Sequence, residues 1–165
     1  MRRRLILMRH AKSSWATAGQ EDHARPLNGR GRRSAEAIGK WLFDREYLPD
    51  VILCSTAART VETLERLKIS GRVELLETLY HAPAGIILDQ LRLADRENVL
   101  ILGHNPGAAD FAARILRDAP PHGRFADFPT CATLVVDFEV SEWAEVQFGT
   151  GTVRNFITPR ELLQE

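Results

Sequence analysis

Three short, unbroken apolar runs constrain this chain more than any other feature: Leu5-Ile6-Leu7-Met8, Val51-Ile52-Leu53-Cys54 and Val99-Leu100-Ile101-Leu102. A strand with one wetted face alternates apolar and polar residues. A run that is apolar at every position suits a parallel strand covered on both faces. Helical patterns separate the runs. Ala35, Ile38, Trp41 and Leu42 share one helical face, and so do Ala57, Val61, Leu64 and Leu67. Ala84, Ile87, Leu88 and Leu91 predict a third helix, and Ala108, Phe111, Ala112 and Ile115 a fourth. Residues 73–76 predict a further short strand. Residues 132–138 and 143–148 predict two late strands joined by a short connection. Alternating strand and helix argue a three-layer α/β/α sandwich formed as one domain over residues 1–165.

Composition removes several function classes. Lysine plus arginine and aspartate plus glutamate both number 22, so no net charge draws the chain to nucleic acid or to a membrane surface. Arg2-Arg3-Arg4 is followed by only four apolar residues before Arg9, too few for a signal-peptide core, and no later stretch could span a bilayer. Cytoplasm is the expected location. Cys54 and Cys131 follow no metal or redox spacing and are expected to be buried, reduced thiols.

The chemistry-bearing residues fall directly after the apolar runs. The first run is followed by Arg9-His10. The second leads to Ser55-Thr56 and, one helical turn on, Arg59. The third leads to Gly103-His104-Asn105-Pro106-Gly107. Ligands of open parallel sheets bind beyond the carboxyl ends of the strands. Two arginines and two histidines are therefore expected to converge there. Asn105 is placed to cap the next helix, whose free N–H groups and positive dipole end would face the same crevice. Such a set describes a phosphate site. Residues 19–31 and 120–129 are the longest irregular stretches, of a length often tied to function. The competing reading is a metal centre gathered from His10, His23, His81 and His104. No short-range ligand spacing supports it, and Arg9 and Arg59 would repel a cation.

Met8-Arg9-His10-Ala11-Lys12-Ser13-Ser14-Trp15, Arg25-Pro26-Leu27-Asn28, the Ser55 and Arg59 element, Gly103-His104-Asn105-Pro106-Gly107, Phe128-Pro129-Thr130 and Thr158-Pro159-Arg160 follow one another along nearly the whole chain. In this ordered set the sequence resembles the histidine phosphatase superfamily, which includes phosphoglycerate mutases. Within it, the chain is most similar to the SixA-type phosphohistidine phosphatase branch. The resemblance implies a phosphoglycerate mutase-like fold, a mostly parallel sheet between helices with one antiparallel strand. It implies that His10 attacks phosphorus and becomes phosphohistidine, while Arg9, Arg59 and His104 grip the phosphoryl oxygens. Water would then release phosphate without a metal or other cofactor. His104 would serve this role best as a cation.

Two positions depart from the family pattern. Ala11 stands where Gly is frequent. In Glu77-Thr78-Leu79-Tyr80-His81, His81 takes the place of the usual proton-donating acid, and Glu77 lies about a turn away. An alkoxide leaves poorly, whereas imidazole has a conjugate-acid pKa of about 6.5 and needs less help. Three readings stay open: a phosphatase for phosphohistidine on a protein, a phosphatase for a small phosphoester, and a non-catalytic phosphate-binding module.

Overall fold

The structure is a computed structural model that describes residues 1–163. The three apolar runs form adjacent parallel strands, β1 (Arg3–Arg9), β2 (Val51–Ser55) and β4 (Asn98–Gly103), with β3 (Arg72–Leu76) beside β2. β5 (Thr133–Phe138) runs antiparallel to β1 on one side and to β6 (Thr152–Ile157) on the other. The order is β3-β2-β4-β1-β5-β6, so five strands share a direction and β5 alone opposes them.

Alternate residues of the runs enter opposite cores, as the two-residue strand period requires. Leu5, Leu7, Val51, Leu53, Val99 and Ile101 pack on one face beneath α3 (Ala84–Arg92) and α4 (Gly107–Ile115). Ile6, Met8, Ile52, Cys54, Leu100 and Leu102 pack on the other beneath α1 (Gly29–Asp44) and α2 (Ala58–Leu67), with α5 (Pro159–Leu163) at its edge. The expected apolar faces of α1, α3 and α4 are the buried ones.

Two expectations are corrected. The buried face of α2 is rotated, consisting of Arg59, Thr60, Thr63 and Leu67, while Val61 and Leu64 are half-buried. Polar burial is tolerated because each hydroxyl is bonded. Thr60 Oγ1 donates to Ser55 O at 2.8 Å, and Thr63 Oγ1 donates to Arg59 O at 2.7 Å while accepting the Ala11 N–H at 3.0 Å. The last strand is β6, not residues 143–148. Trp143 and Val146 are buried in a 3₁₀ turn at Trp143–Glu145 that closes the core under α3, and the indole N–H donates to Arg96 O. Tertiary burial of that apolar segment overrides its strand-like composition.

Two glycines fix close approaches that bring loops to the strand ends. A Cβ on Gly31 would lie 2.1 Å from Lys12 O, and one on Gly107 would lie 1.8 Å from Ala82 O. The first docks the start of α1 on the segment after His10. The second docks the start of α4 on the segment after His81. Among the described residues no helix is long and apolar enough to cross a membrane.

Candidate active site

The sheet places the catalytic candidates by register. Arg9 ends β1 and pairs with Gly103, which ends β4, so the following residues, His10 and His104, stand side by side with ring centroids 5.2 Å apart. Ser55 ends β2 on the far side of β4, and Arg59 lies in the first turn of α2. His81 follows β3, and its ring lies 5.3 Å from that of His104. Arg9, His10, Arg59, His81 and His104 line one crevice of about 630 Å³ together with Asp22, Arg25 and Trp15.

His10 is 6% exposed. Its Nδ1 lies 2.7 Å from Ala11 O. A carbonyl only accepts, so the ring proton sits on Nδ1 and Nε2 carries a lone pair. Burial, followed by the positive charges of Arg9, Arg59 and Arg25, pushes the His10 pKa down to about 3 against the Ala11 bond. The ring is thus neutral, and Nε2 is free to act as a nucleophile at ordinary pH. Ala11 is fully buried and fits where the family often has Gly.

His104 is held differently. Its Nε2 lies 2.7 Å from Ser55 Oγ, which also accepts the Ala57 N–H at 3.3 Å. Burial first, then the neighbouring His10, Arg59 and His81, pushes the His104 pKa down to about 2. The expected cation is therefore a neutral ring in this structure. The dianionic charge of a phosphoryl group would favour its protonation.

Three nitrogens of the crevice residues, Arg9 Nε, Arg59 Nε and His104 Nδ1, are buried without a hydrogen-bond partner among the described residues. Buried donors are nearly always bonded, so an unpartnered trio from three separate elements marks a place built for acceptors. Burial first, then the charge of Arg59, lowers the Arg9 pKa.

Asp22 organises the outer wall. It accepts from Arg59 Nη2 at 3.0 Å, Arg25 Nε at 3.2 Å and His81 Nε2 at 3.1 Å, and also from the Tyr80 hydroxyl. Arg59 Nη1 donates to Asp22 O at 2.8 Å. The Tyr80 hydroxyl, then His81 and Arg59, hold the Asp22 carboxyl far below the usual carboxylate range. Arg25 in turn stacks 3.5 Å over the indole of Trp15. On the opposite wall, Phe128 O accepts from Arg9 Nη1 at 3.3 Å and from Asn105 Nδ2 at 3.0 Å, with Phe128 at a φ of 44°. Side chains rarely adopt that conformation, and it recurs at functional sites.

Arg9, His10, Arg59, His104 and His81 thus meet in one crevice. Glu77 does not; it is exposed on the turn after β3. Asn105 stands one residue before Pro106, which takes the N-cap position of α4, and its Oδ1 accepts the Ala109 N–H at 3.1 Å. The N–H groups of Ala108 and Asp110 are also taken, by His104 O and Pro106 O, so this helix start does not offer them to a ligand. Asp22 and Tyr80 gain their importance only in three dimensions. Asp22 lies in the irregular stretch 19–31, where nothing in the sequence separates it from Glu21. Among the described residues no group of three or more His, Cys, Asp or Glu is placed to hold a metal ion. Cys54 and Cys131 are free and buried, and burial pushes both thiols up to about 12.

Comparison with known proteins adds to this geometry. Residues 5–87 match the model of the histidine phosphatase superfamily, branch 1. An uncharacterized protein of Mycobacterium tuberculosis is 36% identical, over 93% of this chain and all of the relative. Among solved structures, a protein of Nakamurella multipartitia assigned as a phosphohistidine phosphatase SixA superposes with a TM-score of 0.81 at 32% identity, covering 96% of this chain and 97% of the other. One from Agrobacterium tumefaciens with the same assignment gives 0.77 at 28% identity, covering 95% and 98%.

Proposed function

The chain belongs to the histidine phosphatase superfamily, in its SixA-like branch, and from that premise we propose that it removes the phosphoryl group from phosphohistidine on a protein. The observation that carries this reading is the trio of unpartnered buried nitrogens on Arg9, Arg59 and His104 beside the free Nε2 of His10. A phosphoryl group has three peripheral oxygens to meet three donors, with phosphorus facing the nucleophile.

In this mechanism His10 Nε2 attacks phosphorus. The P–N bond forms as the bond to the leaving imidazole breaks, and that imidazole, protonated on its other ring nitrogen, departs neutral. Arg9 and Arg59 neutralise the charge on the phosphoryl oxygens through preorganised donors in a water-poor pocket. Water then attacks the phosphohistidine at position 10, releasing inorganic phosphate and restoring neutral His10. The two guanidinium groups supply the positive charge that a metal would otherwise provide. A non-catalytic binding module has no need of a buried imidazole kept neutral with its outer nitrogen free. Two free, buried thiols support a reducing, cytoplasmic setting.

A small phosphoester is the second reading, favoured by the His81–Asp22 pair at the crevice wall. A carboxylate 3.1 Å from the imidazole suits His81 to donating a proton to an alkoxide.

The test is acid-quenched labelling with a ³²P-phosphohistidine protein, run beside a panel of small phosphoesters and repeated in excess chelator. Wild type should become labelled at His10 and turn over in chelator. His10→Ala, folded by circular dichroism, should do neither. Substantial turnover by that variant would overturn the covalent mechanism.

A further inference from the structure

A second basic cavity of about 260 Å³ adjoins the crevice. Lys12 and Thr130 line both, so the two spaces share a wall. Four segments distant in sequence contribute cations to the second one: Lys12 after β1, Arg30 in α1, Arg124 in the loop before β5 and Arg160 in α5. The whole chain is charge-balanced, so this is a local concentration. Arg30 has a partner already, and Arg124 pairs with Asp127 at 3.0 Å. Neither the Lys12 ammonium nor the Arg160 guanidinium forms an ion pair with any described residue.

A second feature points the same way. Ser34 lines this cavity, and its hydroxyl, open to solvent, is bonded to no described residue. A hydroxyl open to a cationic cavity is an available donor for an anion. Two of the lining groups are already engaged by the protein's own carboxylates. Asp127 sits on Arg124, and Glu161 Oε2 accepts from Thr158 Oγ1 at 2.9 Å while lying 3.1 Å from His122 Nε2. Both are committed to those partners, which leaves Lys12, Ser34 and Arg160 unserved.

We propose that this cavity is a docking subsite for an acidic side chain of the phosphorylated protein substrate, occupied while the phosphoryl group lies against His10. The proposal rests on the reading of the substrate as a protein. The shared wall through Lys12 and Thr130 places a second negative group of the same substrate next to the phosphate pocket. A small phosphoester with one anionic group has no use for the subsite. Recognition of this kind acts on KM and depends on salt, because the cations are solvent-facing.

The experiment has two arms. In the first, an acetylated, amidated hexaglutamate peptide is titrated calorimetrically into protein whose phosphate crevice is saturated with tungstate. The peptide should bind, weaken with added salt, and lose about tenfold in affinity in Arg160→Glu but little in Arg160→Lys. Arg160 lies on the exposed side of a short surface helix, and Arg160→Gln, with a smaller loss, guards against a folding defect. In the second arm, Arg160→Glu should raise KM about tenfold for a phosphohistidine protein and leave p-nitrophenyl phosphate kinetics unchanged. Failure of the peptide to bind in tungstate, or equal affinity of wild type and Arg160→Glu, overturns the subsite. Activity confined to small esters would instead sink the protein-substrate reading, while the peptide titration still decides the subsite.

Discussion

Ser55 Oγ and His104 Nε2 lie 2.7 Å apart, and this pair fixes the orientation of the His104 ring. Ser55 also accepts the Ala57 N–H, and when its own proton points to Nε2 the ring nitrogen is the acceptor. That arrangement puts the His104 proton on Nδ1, the buried nitrogen without a protein partner. Ser55→Ala should free the ring to adopt the other tautomer. The expected result is a kcat about tenfold lower with KM changed little, and recovery in Ser55→Thr. A hydroxyl needed only for the fold would lower the melting temperature and leave kcat alone.

Arg59 presents its outer edge to Asp22 at the crevice wall, while its Nε is buried without a partner among the described residues. Arg59→Ala should cost about 2–4 kcal/mol in transition-state stabilisation and weaken vanadate or tungstate binding. Arg59→Lys should recover little, because an ammonium lacks the fork that meets Asp22 and phosphate together. Unchanged kinetics in either variant would remove Arg59 from the reaction.

His81 and Glu77 are distinguished by substrate. His81→Ala should slow hydrolysis of an alkyl phosphoester by roughly 10²–10⁴-fold, the worth of a general acid, and slow phosphohistidine hydrolysis much less. Glu77→Gln should behave as wild type on both, since Glu77 stays on the outer surface. An ester-specific loss in Glu77→Gln would transfer the role to that residue.

The depressed histidine pKa values set a stability window. An unfolded chain protonates His10 and His104 near their ordinary pKa of about 6.5. The folded chain holds them neutral down to about 3 and about 2. Between those limits the unfolded state binds more protons, so stability rises with pH and is lost on acidification below about 6.5. Melting temperatures of wild type between pH 7 and 4 should fall more steeply than those of a His10→Ala, His104→Ala double variant. Parallel curves would show that these rings do not titrate differently on folding.

Much of this was legible because the sheet is built from runs apolar at every position, and polar residues that interrupt such runs stand out at the strand ends. Arg9-His10, Ser55 and Gly103-His104 announce themselves in that way. β6 did not, because Thr152, Arg154 and Asn155 break its pattern at the sheet edge. Residues 143–148 misled because Trp143 and Val146 are apolar for a different reason, the closure of the core beneath α3. Asp22 was invisible because a carboxylate in a loop acquires meaning only from the arginines that fold around it. The buried face of α2 was hidden because threonine hydroxyls are bonded there, a fact carried by tertiary contacts and not by periodicity.

The three unpartnered donors have a consequence for the evolution and engineering of this chain. Each desolvated N–H lacking an acceptor costs the fold roughly 1–3 kcal/mol. Selection for stability alone would replace Arg9, Arg59 and His104 with apolar residues of similar volume. Stability and activity therefore trade off at these positions. A library screened only for heat resistance would drift towards a sturdier protein whose crevice no longer holds an oxyanion.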